Sequence, residues 1–151
     1  MPEIEFITLA NHVEAFNGLL YVSGGGWTDH YRPLQPGYIS HIGIGVSLLV
    51  PWNETNVQYQ LVVKLETEDG AQVFEVRPLV NVGRPANLPP GADQRAVFAM
   101  NAEITFPQQG GYRILGRFEG IEGAARAVTF RVHDVGMMGI AEVGPGLVGG
   151  V

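Results

Sequence analysis

Two-residue alternation of apolar side chains constrains this chain more than any other feature. Ile42, Ile44, Val46, Leu48 and Val50 lie on one side of a stretch whose other side is His41, Gly43, Gly45, Ser47 and Leu49. A strand turns successive side chains to opposite faces, so this spacing buries one face of an extended segment; a helix would scatter the same residues around its circumference. Tyr59, Leu61, Val63, Leu65 and Thr67 alternate in the same way with Gln58, Gln60, Val62, Lys64, Glu66 and Glu68, which predicts one buried and one wet face. Phe98, Met100, Ala102, Ile104 and Phe106 form a third inward set. Tyr112, Ile114, Gly116 and Phe118 form a fourth, with Arg113 and Arg117 outward, and Val128, Phe130 and Val132 close the series.

Turn chemistry separates these runs. Asn17-Gly18 joins "FITLANHVEAF" to "LLYVSGGG", and Asp69-Gly70 ends the 58–68 run; both dipeptides tolerate the positive φ of tight hairpin turns. No stretch shows a convincing apolar period of 3.6, and "PWNETN" suits at most one helical turn. The expected fold is therefore all-β: an antiparallel β-sandwich or jelly-roll of about eight strands, because two half-apolar sheets bury their faces on each other. The organisation expected is a sandwich domain over 1–133 and a Gly-rich, apolar C-terminal tail over 134–151. That tail carries Met137, Met138, Ile140, Val143, Leu147 and Val148, more apolar than solvated disorder favours.

Charge and composition then narrow the functions. The net charge is −6, Lys64 is the only lysine and the arginines are scattered, which argues against a nucleic-acid partner. With no cysteine there is no disulfide, thiolate metal site or cysteine nucleophile. "MPEIEFITLA" lacks a basic n-region, and no apolar run approaches the ~20 residues that span a bilayer. The expectation is a soluble cytoplasmic protein without membrane contact.

Several quoted stretches, "FITLANHVEAFNGLLYVSGGGW", "VPWNETN", "LVVKLETEDG", "GGYRILGRFEG" and "AVTFRV", resemble an uncharacterised family of small bacterial all-β proteins. The likeness covers Ile4 to His133 and leaves the tail outside. It implies a β-sandwich and transfers no activity. Asn11 and Leu19 stand where that family usually has an acidic and a basic residue.

Each candidate site has a structural reading beside the functional one. The triple glycine before Trp27 is followed by prolines rather than a helix, so it reads as a sheet exit and not a phosphate loop. His12, His30, His41 and His133 show no ligand spacing, so no metal and no cofactor is expected. No serine sits in a nucleophile elbow, and Glu66 with Glu68 reads as a solvated strand end, so no catalytic residue is assigned. The aromatic loop from Trp27 to Tyr38, with Trp27, His30 and Tyr31, and Trp52 farther along the chain are candidates for a small-ligand or carbohydrate platform; aromatics are as readily core filler. "VGRPANLPPGADQR" reads as a proline-stiffened crossing between sheets, with Arg84 and Arg95 able to clamp a carboxylate, Asp93 being nearest. The expected function is non-enzymatic protein–protein interaction, with self or another subunit, using Arg84, Arg95, Met137, Met138, Ile140, Val143 and Leu147. Alternatives are the ligand module and a structural subunit of a capsid-like or compartment-like particle.

Overall fold

The computed structural model describes residues 1–123 and 125–136. Ten strands follow in order: β1 (Glu3–Phe16), β2 (Leu19–Gly25), β3 (Asp29–Pro33), β4 (Ser40–Val50), β5 (Gln58–Thr67), β6 (Gln72–Val76), β7 (Leu79–Asn81), β8 (Gln94–Ile104), β9 (Gly110–Phe118) and β10 (Arg126–Val135). A single 3₁₀ turn, Trp52–Glu54, is all the helix among the described residues, and none of it is long and apolar enough to cross a membrane.

Two sheets face each other. One has the order β2-β1-β4-β8; the other has β3-β10-β9-β5-β6, with β7 also paired to β5. The alternation read from sequence builds the interface between them. Ile42, Ile44, Val46, Leu48 and Val50 are at most 1 % exposed, and the first four meet Leu61, Val63, Leu65, Ile114, Phe118, Phe130 and Val132 in one apolar cluster. Side chains buried to this degree stabilise the fold by roughly 1.5–3 kcal/mol each. Gly116 sits among them because a Cβ there would meet the ends of Ile4 and Ile7 at 2.9 and 3.0 Å.

Both expected hairpins form. Asn17 and Gly18 have φ of 51° and 73°, and Gly70 has 89°. The two additional strands are the short ones: β7 is three residues long, and β3 pairs with β10 in parallel, the one departure from antiparallel order. β10 continues to Val135, two residues into the segment set apart as a tail; Met137, Met138, Ile140, Val143 and Leu147 lie outside the described residues.

β5 departs from the expected wet face. Val62 and Glu66 are 1 % and 4 % exposed. β9 brings Arg117 opposite Val62 and Arg113 opposite Glu66, and long arginine stems cover the strand between them. Glu66 is thus no solvated strand end. Arg113 donates to its carboxylate through both Nε and Nη2, and Lys64 Nζ lies 3.0 Å away, which holds the Glu66 carboxyl below the usual glutamate range.

The outer face of the smaller sheet is covered from within the chain. β1 pairs with β4 only as far as Ala10 opposite Gly43; beyond that the β1–β2 hairpin lifts and lies over β4 and β8. Gly43 makes this possible, since a Cβ there would stand 2.9–3.0 Å from the main chain of His12 and Val13. Leu20 packs over Gly45 in the same way. Asn101 on β8 fastens the crossing: its Oδ1 accepts the Val13 N–H at 3.0 Å and its Nδ2 donates to the Val13 carbonyl at 2.8 Å.

Candidate functional site

The folded-over hairpin has two unlike faces. Val13 and Leu20 turn toward the sheet, and Val13 is fully buried. On the other face, register places Phe16 opposite Leu19 and Tyr21 two residues along from Leu19. These three are 65 %, 58 % and 50 % exposed, a contiguous apolar patch at the tip of a protruding element. β2 is also an edge strand, so half of its backbone donors and acceptors have no partner strand among the described residues. Its sequence, LLYVSGG, carries no charge and no proline, the residues that ordinarily blunt such an edge. Sequence reading found this hairpin but not its patch. The available signal was Gly43-Ile44-Gly45, which marks where another piece of backbone lies close.

The aromatic residues nominated from sequence do not form one platform. Trp27 is half-buried against the core, edge-on to Phe130 at 5.7 Å between ring centroids. His30 points inward, its Nε2 2.9 Å from Ser40 Oγ, and burial, then the Arg32 charge, push its pKa down to about 4. Tyr31 faces out and stacks on His133 at 4.9 Å, while His133 Nε2 meets Asp29 at 2.7 Å. Trp52 follows the far end of β4, whose 11 residues at ~3.3 Å each separate it from the Ser40 end by roughly 30 Å. There its ring lies 3.8 Å beneath the Arg84 guanidinium.

Both nominated arginines are engaged within the chain. Arg84 donates to Thr55 Oγ1 at 2.8 Å and to the Trp52 carbonyl at 2.5 Å. Arg95 forks onto Glu5 at 2.9 and 2.6 Å, so its partner is Glu5 and not the expected Asp93. Residues 82–93 link β7 in one sheet to β8 in the other, turning at Pro85–Leu88 and Pro89–Ala92. The segment is a connector tied down at both ends.

Across the molecule, an open cleft of about 430 Å³ lies over β10 and β9, between Asp29, Glu68, Arg113 and Arg131. Asp29 is held below the usual aspartate range by His133, then by Thr28. The Arg131 guanidinium makes no hydrogen bond or ion pair among the described residues. Carboxylates and guanidinium groups alternate here, so the cleft has no field of one sign. The hydroxyl that does contact a histidine, Ser40, is 2 % exposed, out of reach of a substrate.

A family model, described as a family of unknown function (DUF6941), matches residues 5–132, and the chain belongs to that family. The matched span nearly coincides with the likeness read over residues 4–133. Comparison with curated proteins returned no match.

Proposed function

Starting from membership of a family of unknown function, we propose that this protein is a non-enzymatic interaction module that assembles with copies of itself. The contact surface is the free face of the β1–β2 hairpin, and the apolar segment over 134–151 serves as a second docking arm. The observation that carries this reading is the exposure of Phe16, Leu19 and Tyr21 together on one face of an unguarded edge. Two such edges brought together antiparallel about a two-fold axis would satisfy each other's backbone and set Leu19 and Tyr21 of the two chains side by side on one continuous apolar face. Closed in this way the contact makes a dimer; combined with a head-to-tail arm it builds an open or shell-like particle. The arm leaves β10 at the end of the sandwich where Leu34 N–H bonds the Val135 carbonyl and Arg32 bonds Phe106. Its composition of Met137, Met138, Ile140, Val143 and Leu147 with Glu142 as the sole charge beyond Gly136 suits burial against another chain. A chain without cysteine draws nothing from an oxidising compartment, and the reading places the module in the cytoplasm.

Light scattering coupled to gel filtration tests this. The full-length protein is expected to elute at a multiple of 16.3 kDa. The Phe16→Asp/Tyr21→Asp variant is expected to fall toward monomer with its circular dichroism unchanged, since both positions are at least 50 % exposed. Truncation after Gly136 reads the arm separately. A wild-type protein that stays monomeric at high concentration overturns the proposal.

A further inference from the structure

Where the hairpin leaves the sheet, three elements bring two histidines and two glutamates together. His12 and Glu14 belong to β1, His41 to β4, and Glu103 to β8, directly opposite His41 in the register. His12 Nδ1 lies 3.3 Å from His41 Nε2, with the rings only 16° from parallel planes. The other nitrogen of each ring faces a carboxylate: His41 Nδ1 is 2.6 Å from Glu103 Oε1, and His12 Nε2 is 3.3 Å from Glu14 Oε1.

The two carboxylates favour one tautomer for each ring. An ionised carboxylate only accepts, so the ring nitrogen facing it carries the N–H. A neutral imidazole has one N–H, which leaves His12 Nδ1 and His41 Nε2 each with a lone pair, directed at one another across 3.3 Å. Two lone pairs at that distance repel unless a cation stands between them.

We propose that His12 Nδ1 and His41 Nε2 together ligate a divalent late transition-metal ion of the zinc, copper or nickel class. Two metal–nitrogen bonds of about 2.0–2.1 Å that end on atoms 3.3 Å apart subtend nearly the tetrahedral angle. Imidazole nitrogen selects these metals over magnesium or calcium, which take oxygen. Glu103 and Glu14 occupy the positions of the carboxylates that orient ligating histidines and raise their basicity. No third protein ligand converges on the pair among the described residues. The histidine side chains are 46 % and 40 % exposed, so water completes the coordination shell. The four histidines show no ligand spacing along the chain because this pair is assembled from strands 29 residues apart.

Calorimetric titration of the tag-free, full-length protein with zinc chloride is the test, with copper(II) paramagnetic resonance as a second readout. One ion per chain is expected, and copper should show two coupled nitrogens. His12→Gln and His41→Gln should each abolish measurable binding, and Glu103→Gln should weaken it about 10–100-fold at unchanged stoichiometry. His133→Gln, whose ring contacts Asp29 and Tyr31 instead, should leave binding intact. Stoichiometry is read per chain, so the result stands whether or not chains assemble. Absence of heat at millimolar zinc, or undiminished affinity in both His12→Gln and His41→Gln, overturns the proposal. So does an imidazole–imidazole proton bridge seen by nuclear magnetic resonance that zinc fails to displace.

Discussion

Replacing Phe130 with alanine is expected to destabilise the protein by about 3–5 kcal/mol and to lower its melting temperature by roughly 10 °C or more. Phe130 is 2 % exposed at the point where the two sheets close on each other. Its ring stacks on Tyr112 at 5.7 Å and stands edge-on to Trp27 and Phe106 at 5.7 and 6.0 Å. Tyr112 cannot move in to fill the void, because its hydroxyl donates to the Gln108 carbonyl and accepts the Gln108 N–H. Trp27 is fixed by the strand register on either side of it. A cavity that neighbours cannot enter costs the transfer term and the lost contacts together. Chemical denaturation measures the loss, and Trp27 emission should shift to the red as water enters. A loss below 1 kcal/mol would mean that this aromatic cluster collapses freely, which the two-sheet packing forbids.

The second large effect is a loss of stability on mild acidification, centred on His30. Its surroundings are Ser40, Trp27 and Phe106, with the guanidinium of Arg32 held nearby by Asp134 and the Phe106 carbonyl. Burial foremost, and then the Arg32 charge, lower its pKa from 6.5 to about 4. The folded state therefore refuses a proton that the unfolded chain accepts. Above pH 6.5 both states are neutral at His30 and nothing is lost; as pH falls from 6.5 toward 4 the unfolded state gains, and stability drops. The loss reaches about 2 kcal/mol by pH 5 and about 3 kcal/mol at pH 4. Glu5, Asp29 and Glu66, whose carboxyls are lowered by Arg95, His133 and Arg113 respectively, add their losses later, once unfolded carboxylates begin to protonate. Denaturation midpoints between pH 6.5 and 5, compared between the wild type and a variant without the imidazole, read the His30 contribution. The His30→Gln variant, less stable at neutral pH, should lose most of that slope. An unchanged slope would show that His30 takes up its proton without penalty.

The fold was legible in the sequence wherever local signals decided it. Ile42 to Val50 announced a buried strand, and Asn17-Gly18 and Asp69-Gly70 announced their turns, because alternation and positive φ are properties of neighbouring residues. β3 escaped because it is short, ends in Pro33, and is held by a parallel partner about a hundred residues away. Glu66 looked solvated because its cover comes from Arg113 on another strand. The interaction face was hidden for a related reason. Phe16, Leu19 and Tyr21 look like any apolar strand residues until the hairpin is known to lie with Val13 and Leu20 beneath it. The nominated aromatics lie apart for the opposite reason: Trp27 and Trp52 are the same residue type but stand at opposite ends of β4, Trp27 beside His30 at Ser40 and Trp52 just past Val50. Arg95 chose Glu5, 90 residues away, over Asp93, which adjacency alone favoured.

Assembly through the β1–β2 hairpin requires that the outer edge of β2 pair with a second chain. Amide hydrogen exchange of the full-length protein across a concentration series tests it most directly. The outward-facing amides between Leu19 and Gly25, without a partner strand among the described residues, should exchange progressively more slowly as concentration rises, and Phe16→Asp/Tyr21→Asp should abolish that protection. Exchange at β2 that stays fast and independent of concentration, in a protein whose β4 amides are fully protected, would show that this edge pairs with no second chain.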